Sequence, residues 1–210
     1  MNRVLVVRSS NRPIPLECAA SVHALEAAGA GVVDQTGSAE VSLARNLALS
    51  RALDVLRKPE ARPFDVVLMV DDDMVFAMRA AELVVAHARA TGLPASACYA
   101  LANGSIPFER LPGGRFMGGL GFVAVPVAVL ASLATRSSVV TTDSGEAFWE
   151  FTSSASEARE DGTRRWLPED YRLTRELGGV DLLPIAIGHL KAKVVMPDRA
   201  TFEALTGAPS

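Results

Sequence analysis

The sequence predicts a single α/β domain with a mostly parallel central sheet flanked by helices, and with a smaller antiparallel second half. Two short, continuous apolar runs, 4–7 and 66–70, are typical of strands that are buried on both faces. Three segments with helical periodicity accompany them within the first ninety residues. This alternation indicates an open α/β sheet, in which ligands bind at the carboxyl ends of the strands.

The first half of the chain contains three predicted helices, which span 16–28, 41–56 and 80–89. Gly29 stands where the first helix is expected to end, because glycine is common just after a helix C-terminus. Ser38 or Ser42 can cap the second helix, because a serine hydroxyl accepts a hydrogen bond from a backbone N–H of the first turn.

The second half changes character around a glycine-rich turn, LPGGRFMGGLG. We expect strands at 96–101 and 121–125, a helix at 126–134, a helix at 169–177, and short strands at 182–187 and 194–196. Residues 136–168 show no periodicity, and so long a loop is usually functional or disordered. No internal repeat or linker interrupts the chain, so residues 1–210 are expected to form one domain.

Composition and charge exclude several classes of protein. About half of the residues are apolar (49%), and 21 Lys and Arg face 24 Asp and Glu, so no global positive field attracts nucleic acid or an anionic membrane. No stretch of 18 apolar residues occurs, and the N-terminus lacks the apolar core of a signal peptide. We therefore expect a cytoplasmic protein without an integral membrane segment. Cys18 and Cys98 lie in apolar surroundings and are expected to be buried free thiols.

Three adjacent aspartates follow the second apolar run in VVLMVDDDMVF. If the extended geometry continues, Asp71 and Asp73 point the same way, because side chains alternate along a strand. Such a pair can hold a divalent ion, and its hard oxygen ligands suit Mg²⁺ or Mn²⁺. The alternative is a solvated strand end with acidic turn residues.

This segment resembles the DxD motif of the GT-A fold glycosyltransferases, a Rossmann-like family in which the motif follows an apolar strand. The resemblance implies that Asp73 binds Mn²⁺ or Mg²⁺ directly, that Asp71 lies on the nucleotide side or in the metal shell, and that Asp72 contributes to donor binding. It extends from VLVVRSS to GHLKAKVV, with the parts in the same order. It thus implies a nucleotide-binding half at 1–95 and an acceptor-side half at 96–210.

Further segments extend the resemblance on the donor side. Arg45 and Asn46, in SLARNLALSRAL, resemble an Arg-Asn pair on a helix near the nucleotide, although an exposed helix arginine is the alternative for the first. Gly118 and Gly119 fall in a segment that resembles the one beside the donor sugar, where glycine lets the backbone approach a ligand closely. The end of the first strand would add nucleotide contacts from Arg8, Ser9 and Ser10.

Two later segments resemble the catalytic part of the family. WLPEDYRLTRELG resembles its Glu-Asp motif, so Asp170, with Glu169 beside it, is the expected base of an inverting enzyme. A helix N-terminus favours the ionised carboxylate, although ordinary acidic capping is the alternative. AIGHLKAKVV places His189 after an apolar strand, resembling the late histidine that joins the metal shell, and imidazole is an accepted manganese ligand.

The resemblance implies transfer of a sugar from a nucleotide-sugar donor, with a UDP-sugar favoured and with inversion favoured over retention. The acceptor stays unidentified: a glycan, a lipid-linked glycan, a protein or a nucleobase. Aromatic faces pack on sugar rings, so three aromatic residues of the long loop are expected to bind the acceptor, unless they tether the loop to the core: Phe148, Trp149 and Trp166.

Three other functions are open. The acidic segment also resembles the haloacid-dehalogenase-type phosphatases, with Asp71 as nucleophile and Asp73 as acid/base; Lys191, Lys193 and Asp198 are then the candidates for the later residues that this family needs. A nucleotidyltransferase would place a nucleotide and a metal on a similar sheet, but RSSNRPIP lacks the expected glycines. A non-catalytic nucleotide-binding or scaffold protein is the third alternative.

Overall fold

The computed structural model of the protein describes residues 1–10, 12–37, 40–58, 64–158, 162–190, 194–196 and 199–207. In these ranges the strands are β1 (Val4–Ser9), β2 (Gly31–Gln35), β3 (Val66–Asp71), β4 (Met74–Val75), β5 (Ala95–Cys98), β6 (Phe108–Arg110), β7 (Phe116–Gly118), β8 (Phe122–Pro126), β9 (Val139–Thr141), β10 (Ala147–Trp149), β11 (Ala155–Ala158), β12 (Arg164–Leu167), β13 (Asp181–Ala186), β14 (Gly188–Leu190) and β15 (Val194–Val195). The helices in the same ranges are α1 (Leu16–Ala27), α2 (Val41–Arg57), α3 (Met78–Thr91), α4 (Val127–Ala134), α5 (Glu169–Glu176) and α6 (Arg199–Thr206).

The central sheet has six strands in the order β13-β5-β8-β3-β1-β2. β1 is parallel to β2 and to β3, and β13 is parallel to β5. β8 is antiparallel to both of its neighbours, β3 and β5. The predicted α/β class is confirmed, but the sheet is mixed, and a mostly parallel sheet is not confirmed. Periodicity shows that a segment is a buried strand and does not show in which direction the strand runs.

The three central strands form the core because their apolar runs are buried on both faces. The first five residues of β1 and of β3 and all five residues of β8 are buried, and Phe122 is fully so. A strand covered on both faces has no reason to alternate apolar and polar residues. This core fixes the carboxyl ends of β1 and β3, where the sequence places its polar candidates.

The helices agree with prediction to within a few residues, with two corrections. Glu40, rather than a serine, caps α2: its carboxylate accepts hydrogen bonds from the backbone N–H groups of Ser42 and Leu43 at 3.0 and 2.6 Å. Ser38 lies outside the described residues. The second correction is α6, which was not predicted. No helix in the described ranges combines the length and apolar character that crossing a bilayer requires.

The segment predicted as a long loop contains two antiparallel hairpins, β9–β10 and β11–β12. Their strands have three or four residues, too few for a periodicity to appear. The first hairpin is held on α2, because the backbone N–H of Trp149 donates to the Ser50 hydroxyl at 2.9 Å and the Arg57 guanidinium lies 4.4 Å from the Trp149 ring centroid.

The late strands bring the end of the chain back to β3. β14 is antiparallel to β4, with His189 opposite Met74. The other edge of β14 pairs with β15, also antiparallel. Because β4 follows β3 after a tight turn, this pairing places His189 beside the acidic segment.

Candidate active site

The three aspartates at the end of β3 and in the turn after it separate two cavities. The smaller, of about 240 Å³, is lined by the end of β1 and the start of α2. The larger, of about 480 Å³, is lined by residues of β4, α5 and β14 and by the segment that follows β5. Arg45, Asp71 and Asp73 line both cavities. The site therefore lies at the carboxyl ends of strands, where open α/β sheets bind ligands.

The three aspartates face different partners. Asp71, the last residue of β3, accepts a hydrogen bond from Arg45 Nη2 at 2.7 Å. Asp72 accepts from the Ser10 hydroxyl at 2.6 Å. Asp73 Oδ2 lies 3.0 Å from Arg12 Nη2 and 3.1 Å from His189 Nε2. The expected alternation stops at Asp71 because the strand ends there in a turn, so the two outer carboxylates line one cavity but bind different groups.

Arg45 joins the acidic segment to α5. It is a buried residue of α2, and its Nη1 donates to Glu169 Oε1 at 2.5 Å while its Nη2 binds Asp71. Burial alone would lower the pKa of Arg45, but the charges of Asp71 and Glu169 raise it above its usual value. The guanidinium is therefore a permanent charge that holds the strand end and the helix start together.

His189 is held with one nitrogen towards the acidic segment. Its Nδ1 lies 2.9 Å from the Ala100 carbonyl oxygen, and since a carbonyl can only accept, Nδ1 carries the proton that is donated. Its Nε2 lies 3.1 Å from Asp73 Oδ2, so the imidazole and the carboxylate face the same point. A histidine that donates to a backbone carbonyl through one nitrogen and offers the other is oriented as metal-binding histidines are.

The donor set for a metal is small. Asp73 and His189 form a pair, while Asp71 faces Arg45. Within the described ranges, no group of three or more His, Cys, Asp or Glu side chains is gathered in a way that could hold a metal ion. A divalent ion at this place would thus need oxygen atoms from a bound substrate or from water to complete its coordination.

Asp170 and Glu169 begin α5 but differ in environment. Glu169 is bound by Arg45, whereas the Asp170 carboxylate accepts from the backbone N–H of Tyr171 at 2.9 Å. Burial raises the pKa of Asp170, and the neighbouring Glu169 charge raises it further, against a lowering by Arg45. The helix N-terminus was expected to favour the ionised form; here the loss of water around the carboxylate outweighs that effect.

Arg8, Ser9 and Ser10 do not act together. Ser9 and Ser10 line the smaller cavity. Arg8 instead binds Asp34 through two hydrogen bonds of 2.8 and 2.6 Å, and lines a cavity between α1 and β2. The period-two alternation of a strand predicts this difference, because Arg8 and Ser9 lie on opposite faces of β1.

Asn46 follows Arg45 in the sequence, but its side chain binds backbone groups of a distant segment and does not line either cavity. Its Oδ1 accepts from the backbone N–H groups of Phe151 and Thr152, both at 3.0 Å, and its Nδ2 donates to the Thr152 carbonyl at 2.8 Å. The Thr152 hydroxyl donates in turn to the Glu169 carbonyl. The side-chain amide therefore fixes the segment that leads from β10 towards α5.

Gly118 and Gly119 pack against the chain itself. Their φ angles are +103° and +57°. A Cβ atom on Gly118 would lie 2.2 Å from the Pro107 carbonyl oxygen, and one on Gly119 would lie 2.3 Å from the Phe108 ring. The close approach that glycine permits here is to protein, whereas the sequence predicted an approach to a donor sugar.

Replacing Gly118 with alanine should lower the free energy of unfolding by about 3 kcal/mol, since ~1–2 kcal/mol of backbone strain adds to ~1–3 kcal/mol of overpacking. Gly113→Ala is the matched control, because Gly113 has φ +96° but no heavy atom within 4 Å of its Cβ position. We expect only the strain there. Urea unfolding of both variants measures the difference, and equal losses would contradict the packing argument.

None of the three predicted acceptor aromatics lines the larger cavity, which contains Asp170. Phe148 is buried and lines a third cavity, beside β2. Trp149 packs under Arg57, and Trp166 on β12 is 64% exposed. The larger cavity has Tyr99 and Tyr171 as its aromatic lining.

Sequence reasoning missed Tyr99 and Arg12. The buried Tyr99 hydroxyl accepts from the Gly121 N–H at 3.0 Å, and burial raises the pKa of Tyr99 well above its usual value. Arg12, half exposed, donates to both Asp72 and Asp73. A basic residue near the end of the first strand was the available signal for Arg12; no signal marked Tyr99. Lys191, Lys193 and Asp198, on which the phosphatase alternative depends, lie outside the described residues.

No protein-family model matches the chain, and no curated protein matches it either. Among solved structures, the chain is similar to A197 from STIV, with a TM-score of 0.54 and 14% sequence identity over 94% of this chain and 95% of A197. At this identity the similarity shows a shared fold and nothing about the reaction. The two chains therefore have a common α/β architecture over nearly their full lengths.

Proposed function

We propose that the protein is a metal-dependent glycosyltransferase that moves a sugar from a nucleotide-sugar donor, with a UDP-sugar favoured, to an acceptor hydroxyl. One observation carries the proposal: the acidic end of β3 lies between two cavities, and only the larger one contains Asp170. A transfer between two substrates requires such an arrangement, with donor and acceptor meeting over shared residues.

On the donor side, the chain offers hydroxyl groups and a cation beside the aspartates. Ser9 and Ser10 line the smaller cavity, and Arg12 lies at its edge with 49% of its side chain exposed. A guanidinium that solvent can reach is suited to diphosphate, because its planar fork of donors matches phosphate oxygens. Arg12 is therefore the residue that we expect to move from the aspartates to the donor.

Asp73 and His189 are the residues that would hold Mn²⁺ or Mg²⁺. Their oxygen and nitrogen donors suit Mn²⁺ in particular, and the Nδ1 bond to Ala100 already orients the imidazole. When bound, such an ion supplies Lewis-acid stabilisation of the charge on a departing nucleoside diphosphate.

On the acceptor side, Asp170 is the proposed base. Glu169 is engaged by Arg45, which leaves Asp170 to receive the proton of the attacking hydroxyl. The raised pKa of Asp170 is closer to neutral pH, and a general base is more effective when its pKa is near the pH at which it works. Attack from the face opposite the leaving nucleotide gives inversion at the anomeric carbon.

The test is release of nucleoside diphosphate from a panel of UDP- and GDP-sugars, in Mn²⁺ and then in EDTA. We expect one donor to be cleaved only with metal. Asp73→Asn should reduce the release about tenfold to hundredfold at limiting Mn²⁺, since an amide oxygen is a weaker ligand than a carboxylate. Asp54→Asn, on the exposed side of α2, is the matched control and should retain wild-type release.

Two results would overturn the proposal. Release that persists unchanged in EDTA would remove the metal from the reaction. Hydrolysis of a generic phosphate ester without cleavage of any donor, abolished by Asp71→Asn, would instead establish a phosphatase.

A further inference from the structure

The third cavity, of about 680 Å³, lies outside the proposed transferase site. It is an open cavity bounded by the carboxyl end of β2, one face of α2 and the β9–β10 hairpin, and it shares no lining residue with the two cavities around the aspartates. The hairpin is fixed to α2 by the Trp149 to Ser50 hydrogen bond and by the Arg51 to Glu146 ion pair of 3.1 Å. The cavity wall is therefore part of the folded structure.

Gln35 presents a buried amide at this cavity. It is the last residue of β2, lines the cavity and is 6% exposed. Among the described residues, its Oε1 has no hydrogen-bond partner, and its Nε2 reaches the Thr36 carbonyl only at a long 3.4 Å. A buried amide without adequate partners costs stability, so native proteins rarely keep one without a use.

The other lining groups are neutral or acidic. Hydroxyl groups come from residues such as Thr36, Thr141 and Ser144, and carboxylates from Asp143 and Glu146. No Lys, Arg or His is among the described residues that line the cavity. A phosphate or carboxylate ligand would meet acceptors and no cation, so the chemistry disfavours an anion and favours a ligand that donates hydrogen bonds.

The remaining wall is apolar, formed by Leu43, Leu47, Val140 and Phe148. A sugar ring combines an apolar face with hydroxyl groups that both donate and accept. The apolar face of the ring matches the aliphatic and aromatic wall. The hydroxyl groups match the Gln35 amide, whose oxygen and nitrogen both lack good partners.

We propose that this cavity is a carbohydrate-binding site, separate from the acidic site, which holds a neutral saccharide with one of its hydroxyl groups on the Gln35 amide. Saccharide binding at this cavity does not depend on the transferase activity. It gives Phe148 a saccharide contact at a place other than the one predicted beside Asp170.

The experiment is ligand-observed NMR titration with maltotriose, cellotriose and N,N′-diacetylchitobiose, and with uridine as the non-carbohydrate probe. We expect at least one saccharide to bind and uridine not to bind. Gln35→Met keeps the side-chain length and removes the amide, so it should weaken saccharide binding about fivefold, the value of one neutral hydrogen bond. Val139→Ala is the control, because Val139 is 62% exposed on the same hairpin and does not line the cavity.

The proposal is overturned if none of the saccharides binds, if uridine binds in their place, or if Gln35→Met and Val139→Ala behave alike. Should Gln35→Met fail to fold, Asp143→Ala at the exposed end of the hairpin is judged by the same criterion. Asp73→Asn must retain saccharide binding, since its loss would show that the saccharide occupies the acidic site. A failed transferase proposal appears separately, as wild-type protein that releases no nucleoside diphosphate.

Discussion

Replacing Asp170 with asparagine is expected to reduce sugar transfer on the order of a thousandfold while leaving the affinity for nucleoside diphosphate unchanged. General-base catalysis contributes about 10²–10⁴ in rate, and an amide cannot take up the proton. The variant keeps the shape of the side chain and an oxygen that can accept from the Tyr171 N–H. Steady-state transfer rates and calorimetric titration with the nucleoside diphosphate measure the two quantities separately.

The pH dependence gives an independent readout for Asp170. Since burial raises its pKa in the folded protein, the acid limb of kcat/KM should fall above the ordinary range of aspartate, about 3.9. Because of the same shift, ionisation of Asp170 destabilises the folded protein relative to the unfolded chain. The protonated carboxyl contributes its full stability at pH values below the pKa of the unfolded chain, and this contribution is lost as the pH rises through the pKa of the folded protein.

Asp170→Asn should therefore melt at a higher temperature than the wild type at pH 7, and the difference should vanish as the pH falls towards about 4. Asp54→Asn, which changes an exposed carboxylate, should show no such pattern. A transfer rate reduced less than about tenfold would remove Asp170 from the role of base.

The second large effect is on stability. Replacing Arg45 with methionine should lower the free energy of unfolding by about 3–5 kcal/mol, the usual cost of removing one partner from a buried ion pair. Asp71 and Glu169, which Arg45 binds at 2.7 and 2.5 Å, would then face each other without a counter-charge. Urea unfolding followed by circular dichroism measures the loss.

Two comparisons separate charge from packing. Arg51→Met, on the same helix, removes an exposed partner of Glu146 and should cost less than about 1 kcal/mol. Combining Arg45→Met with Asp71→Asn and Glu169→Gln should recover much of the stability, because no unpaired charge is left. If the triple variant is as unstable as Arg45→Met alone, the guanidinium acts through its packing.

The parts of the fold that the sequence predicted are those with a clear hydrophobic signal. Continuous apolar runs identified β1 and β3, and helical periodicity identified α2. β2 was missed because it is an edge strand with partly buried residues and a polar end, which resembles a loop. The reversed direction of β8 depends on tertiary pairing that no local pattern contains.

The candidate site was predictable in its location and only partly in its contacts. The resemblance implied that Asp73 and His189 share a metal shell; the structure places the two side chains 3.1 Å apart, and the metal stays a prediction. The partners of Arg8 and Asn46 were not predictable, because a side chain that can reach several groups is directed by burial and by the rest of the fold. Sequence position alone cannot distinguish a glycine that faces a ligand from one that faces protein, as Gly118 does.

Arg45 and Asn46 are consecutive residues of α2, yet one holds the acidic strand end and α5 while the other holds the backbone at Phe151 and Thr152. Each residue of an α-helix advances the side-chain direction by about 100°. A single residue inserted between Asn46 and Ser50 would rotate Arg45 and Asn46 by about 100° relative to the Ser50 hydroxyl that binds Trp149, so the three side chains could not all keep their partners. The tips of the two hairpins can tolerate insertions and deletions, whereas this helical turn cannot. Changes in chain length are therefore expected in the hairpin tips and not in this part of α2.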